Sequence, residues 1–246
     1  MTATAIDGSQ RTAAKVAGAT ALFAMAIVVV ANFGIHERLI VSGNAAATAQ
    51  NILAHERLFR INIACFLTYG AGVVVLLTAL YVILKPVNRG LALLGTFFRL
   101  IYALMWIVIA LNLFEALRLL SSADYLRVFE ADRLQAMARL SLGRNFDVYY
   151  VGLLFYGLAS TVCSYLWFKS NYIPRALAAF GVIASGWCAM CTFAFIISLN
   201  FARLVNLWWF DSPMGIFEIV LSFWLLFVGL RASGIAEPDR AQAGAA

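Results

Sequence analysis

The chain has 246 residues, 63% of them hydrophobic and 12% charged, with a mean hydropathy of +0.88 and a net charge of +6. Those values lie outside the range of water-soluble domains and mark an integral membrane protein. The basic residues are spread along helix ends and form no run interleaved with aromatics, so no nucleic-acid partner is expected.

A helix needs about 20 apolar residues to cross the hydrocarbon, and six stretches qualify: 14–34, 58–84, 91–120, 147–168, 176–200 and 214–232. The expected fold is all-α, a polytopic six-helix transmembrane bundle over 14–232 between cytoplasmic tails at 1–13 and 233–246. Little chain is left for a separate soluble domain. Before the first span, Arg11 and Lys15 precede an apolar run from Val16 to Phe33. That run is longer than the core of a cleaved signal peptide, so it reads as a retained span.

After the first span, Ser42 is placed to cap an Ala-rich helix over 44–54. Farther on, 130–142 alternates charge with Leu134, Met137 and Leu140 at helical spacing. Both segments read as short interfacial helices on the outer side, against the simpler account of solvated connectors. The linkers on the other side are short. All three lysines, Lys15, Lys85 and Lys169, fall there with Arg11, Arg89, Arg175, Arg231 and Arg240, and the short loops hold no acid. The outer loops mix arginine with Glu37, Glu56, Asp124, Glu130, Asp132, Asp147 and Asp211. This bias places both termini in the cytoplasm.

The two cytoplasmic turns echo each other. Tyr81, Lys85, Pro86, Arg89, Leu91, Ala92 and Gly95 are matched by Tyr165, Lys169, Pro174, Arg175, Leu177, Ala178 and Gly181, and Arg60 by Arg144. The pattern predicts a parallel hairpin repeat about an axis along the membrane normal. Small residues four apart, Ala14 with Gly18 and Gly181 with Ser185, predict close helix packing. Trp208 and Trp209 fit the outer headgroup level and Trp167 the inner.

Charge inside the spans is the strongest chemical signal. Arg99, Glu115 and Glu218 lie in apolar stretches, where a charge persists only when paired, hydrated or used. Arg99 lies about 13 Å into its span at 1.5 Å per residue. Glu218 reaches the membrane from the opposite side, and a tilted helix brings the two together, with the carboxylate the higher of the pair. Asn32, Asn62, Asn112 and Asn200 would add hydrogen bonds to this polar core. Either a structural ion pair or a functional cavity answers to the pattern. Glu115 has Arg118 one turn later and is expected to pair with it at the outer interface.

Both histidines, His36 and His55, sit in His-Glu-Arg-Leu strings on the outer side. With nearby carboxylates they could hold zinc, yet the spacing is not that of a metalloprotease helix, and loop histidines are the plainer account. Cys188 and Cys191 form a CxxC near mid-membrane, too deep to meet soluble thiols, and with Cys65 and Cys163 they read as small core residues. No lysine lies mid-span for a retinal Schiff base, and no histidine pair is deep enough for haem. No nucleotide loop or serine elbow occurs, and no cofactor is expected.

Short strings along the chain carry a resemblance. Ser42 to Thr48, Asn51-Ile52-Leu53, Leu58-Phe59-Arg60, Pro86-Val87-Asn88-Arg89 leading to Phe98-Arg99, Ser122 to Leu126, Tyr165-Leu166, Lys169-Ser170 and Pro174-Arg175 stand in the order seen in bacterial multi-pass proteins labelled domain of unknown function 4386. The chain resembles that family from about its first span to its last. The resemblance implies six helices and no assigned activity, and it points to Arg60, Arg99 and Glu218 as recurring polar positions. The chain departs at the fourth helix, with Ala159 where a histidine often follows Gly157-Leu158, which weakens a metal site.

The function expected is that of a non-enzymatic bundle. It would bind a lipid, an apolar small molecule or a partner membrane subunit around Arg99 and Glu218, with Arg60, Asn62, Asn112 and Glu115 completing the polar core. A metal-dependent membrane hydrolase or lipid-modifying enzyme using His36 and His55, and a small transporter, are the alternatives. Membrane lipids and either a partner subunit or a second copy of the chain are the expected partners.

Overall fold

A computed structural model describes residues 6–121, 128–198, 200–201 and 205–231, with only the backbone at 207 and 208, and every regular element among them is helical. The expectations on Ser122 to Leu126, on the tail 233–246 and on the Trp208 side chain lie outside the described residues. Six helices are long and apolar enough to cross a membrane. They are α1 (Gly8–Leu39), α3 (Glu56–Leu84), α4 (Arg89–Leu120), α5 (Ala131–Ser170), α6 (Arg175–Ile197) and α7 (Leu207–Phe223), which runs on as a π-helical turn, Trp224–Val228. A short helix, α2 (Ala45–Ala54), precedes α3.

Local chemistry sets the helix ends. α1 begins inside the stretch expected to be a tail, because Asp7 and Gln10 form a capping box: Asp7 Oδ1 accepts the Gln10 N–H at 2.7 Å, and Gln10 Oε1 accepts the Asp7 N–H at 3.2 Å. Asn44, not Ser42, caps α2, its Oδ1 accepting the Ala47 N–H at 2.9 Å. Asn88 caps α4 through the Leu91 N–H at 3.0 Å. At the second turn Asn171 takes the left-handed conformation, φ 57°, and accepts the Arg175 Nε–H at 2.6 Å.

The segment over 130–142 is helical but is no separate element. It is the first part of α5, a continuous 40-residue helix. At 1.5 Å per residue α5 is about 60 Å long, twice the ~30 Å hydrocarbon. Ser141 of α5 meets Glu115 of α4, so the first turns of α5 run past the end of α4, and α2 packs on α5.

The spans pack in chain order and close into a ring: α1 on α3, α3 on α4, α4 on α5, α5 on α6, α6 on α7, and α7 back on α1. Closure depends on two glycines. A Cβ on Gly18 of α1 would lie 2.6 Å from the Ser222 carbonyl oxygen and 2.8 Å from the Leu226 nitrogen, so α1 rests directly on the α7 backbone. A Cβ on Gly181 of α6 would lie 2.5 Å from the Phe217 ring and 2.6 Å from Ser164 Oγ. Both positions belong to the small-residue pairs, and each removes a side chain where two helices meet.

At the end where α1 begins, Gln10 is buried and donates through Nε2 to the Ile83 carbonyl at 3.1 Å, while the Arg231 N–H reaches the Tyr172 carbonyl at 2.9 Å. The first and last spans are thereby tied to the two turns between them. Pro213 lies inside α7 and lacks the N–H that would bond the Trp209 carbonyl. The indole N–H of Trp187, on α6, donates to that carbonyl instead, at 3.3 Å.

Candidate functional site

Arg99 projects from α4 into the centre of the ring and is 4% exposed. Its Nη2 forms an ion pair with Glu218 Oε1 of α7, and its Nη1 donates to Ser160 Oγ of α5 at 3.3 Å. The guanidinium carbon lies 4.9 Å from the centroid of the Tyr156 ring, a cation–π contact. One arginine thus joins its own helix to two others, α5 and α7. Glu218 stands at the level of Arg99, not above it, because α7 starts at Leu207 and brings residue 218 three turns down.

A column of buried aromatics rises from this pair toward the far end. Tyr156 stacks on Tyr102 with centroids 4.7 Å apart, and the Tyr102 and Tyr69 hydroxyls are 2.8 Å apart. Trp106 meets both rings edge-on and also meets Tyr149, whose hydroxyl donates to Asp211 Oδ2 at 2.7 Å. Asp211 and Glu218 are seven residues apart in one helix, two turns and about 10.5 Å along its axis. α7 therefore turns two carboxylates inward, one met by Tyr149 and the other by Arg99.

Sequence reasoning passed over Tyr69, Tyr102, Tyr149, Tyr156 and Asp211. A periodic signal for them exists: Arg99, Tyr102 and Trp106 stand at i, i+3 and i+7, and Tyr149, Tyr156 and Ser160 at i, i+7 and i+11. Tyrosine is half apolar, so in these spans it reads as ordinary core.

The remaining candidates do not join the pair. Glu115 binds Arg144 and accepts the Ser141 hydroxyl at 2.8 Å, both from α5, in place of the expected Arg118. Asn112 donates to Asn145 Oδ1 at 2.9 Å, and its carbonyl accepts Ser141 Oγ at 2.9 Å, which makes a second polar seam between α4 and α5. Arg60 lies at the start of α3, paired to Glu56 at 2.7 Å with its side chain 57% exposed, outside the core. Asn62 is buried 3.4 Å from His36 Nδ1, Asn32 donates to the Val28 carbonyl of its own helix, and Asn200 is exposed in a turn. The four asparagines form no common cluster: Asn32, Asn62 and Asn112 each bond a different group, and Asn200 is exposed.

His55 is exposed at the break between α2 and α3, its Nδ1 3.1 Å from the Asn51 carbonyl, while His36 packs edge-on to Phe66. Among the described residues, no three His, Cys, Asp or Glu side chains come together as a metal-binding group. Cys163, Cys188 and Cys191 are buried free thiols, and Cys65 is a half-buried one.

The sequence profile of a family described as a domain of unknown function (DUF4386) matches residues 16–229, a range that takes in the whole ring except the start of α1 and the last described residues. No curated protein and no protein of solved structure matches the chain.

Proposed function

The chain belongs to the DUF4386 family, and we propose that it is a non-enzymatic membrane bundle organised by the Arg99–Glu218 pair, binding a lipid, an apolar small molecule or a partner membrane subunit. The observation that carries this reading is the makeup of the site. One ion pair and the hydroxyls of Ser160, Ser164 and Ser222 are enclosed by apolar side chains from several spans, and Arg99 engages side chains of two other helices. By joining α4, α5 and α7 the pair fixes the apolar outer faces of these spans, the surface that a lipid, an apolar molecule or a partner span would meet. The lysine bias supports a cytoplasmic location for both termini, in a bacterial inner membrane.

The test is gentle purification in native lipids, native mass spectrometry and identification of what stays bound. Wild-type protein should retain a defined lipid, small molecule or subunit, and the double variant Arg99→Met/Glu218→Met, if folded, should lose it. An identical bound set in both proteins would remove the pair from that function.

A further inference from the structure

Arg99 has three kinds of N–H, and only two are used. Nη1 reaches Ser160 and Nη2 reaches Glu218, while Nε is buried with no hydrogen-bond partner. Ser164 Oγ, one turn of α5 beyond Ser160, is also buried without a partner, and its residue is 0% exposed. A buried donor or acceptor left without a partner is unfavourable, so two such groups lining one cavity call for a ligand. Both residues line the same cavity of about 20 Å³, which is also bordered by Cys163, Trp167, Phe217 and Glu218.

We propose that this cavity is a binding site for one water molecule, bridging Arg99 Nε and Ser164 Oγ. Size and charge select the ligand. About 10–15 Å³ of such space holds one water, so 20 Å³ takes one and not a larger molecule. An anion would face the Glu218 carboxylate and a cation the Arg99 guanidinium, so a neutral ligand is favoured. The Arg99 Nε–H requires an acceptor, and Ser164 can donate or accept; water satisfies both. The site completes the hydrogen bonding of a charge that has no bulk solvent at this depth. It does not depend on the ligand-binding function proposed above, because the water serves Arg99 in either case.

X-ray radiolytic footprinting of the full-length protein in lipid nanodiscs made up in H₂¹⁸O tests this. Hydroxyl radicals form from bound water and mark the side chains touching it. Phe217 and Trp167, though only 2% and 1% exposed, should take up ¹⁸O several-fold faster than the equally buried Phe59 and Trp106. Substituting Ser164→Val fills the space and should return Phe217 and Trp167 to the control rate. Labelling of wild-type Phe217 and Trp167 no faster than the controls would overturn the proposal, with no variant needed. So would labelling that persists in a folded Ser164→Val protein.

Discussion

A charge at mid-membrane is the residue-scale fact on which the rest depends. Removing one member of a buried ion pair leaves the other uncompensated and costs about 3–5 kcal/mol, whereas replacing both with apolar residues of similar volume is often neutral or better. With side-chain exposures of 5% and 14%, Arg99 and Glu218 belong to the buried regime. Arg99→Met or Glu218→Met alone should therefore lower stability by about 3–5 kcal/mol, and the double variant should recover most of that loss. Thermal unfolding of the four proteins in one detergent checks the sign, and a double variant less stable than both singles would contradict it. Glu115 and Arg144 are each 49% exposed, so removing either should change stability by only about 0–1 kcal/mol. Arg99 and Glu218 were legible in the sequence because a charge among apolar residues of a span must be paired, hydrated or used. The tyrosines were not legible, since a ring that suits both lipid and core gives no sign of where its hydroxyl goes.

Among the elements, α5 departs most from its sequence pattern. Gly143-Arg144-Asn145-Phe146-Asp147 resembles a break between an interfacial helix and a span. The helix continues because it holds no proline and because its polar residues find partners on α4: Ser141 and Arg144 at Glu115, and Asn145 at Asn112. Those contacts are non-local and invisible to local periodicity. A rigid α5 predicts that spin labels at exposed positions 133 and 168, 35 residues apart, give one narrow distance near ~52 Å at 1.5 Å per residue. A broad, shorter distribution from double electron–electron resonance would mean two helices with a hinge. The proline in α7 is the converse case. Its residue type marks a weak point, but only the fold reveals Trp187 at the orphaned carbonyl.

For the whole molecule, six spans in chain order bring the start of α1 and the end of α7 to one side, and the ring joins the first span to the last. The proposed orientation predicts that a fluorescent protein fused at the C-terminus is bright in a bacterial host and that alkaline phosphatase fused there is inactive. The reverse pair of results would invert the molecule. The amino-acid sequence by itself determined the solvent, the number of spans, the short turns on the lysine side and the two charges that had to be buried, because each follows from transfer energies of single residues and from the length of a helix that crosses hydrocarbon. Only the tertiary structure decided that Arg99 meets Glu218 at one level, that Glu115 turns to Arg144, that Asp211 and four tyrosines extend the core, and that a water-sized space lies beside Arg99. Partner choice depends on which helix faces align when the ring closes, and that is set by close packing at Gly18 and Gly181, distant in sequence from the charges they bring together.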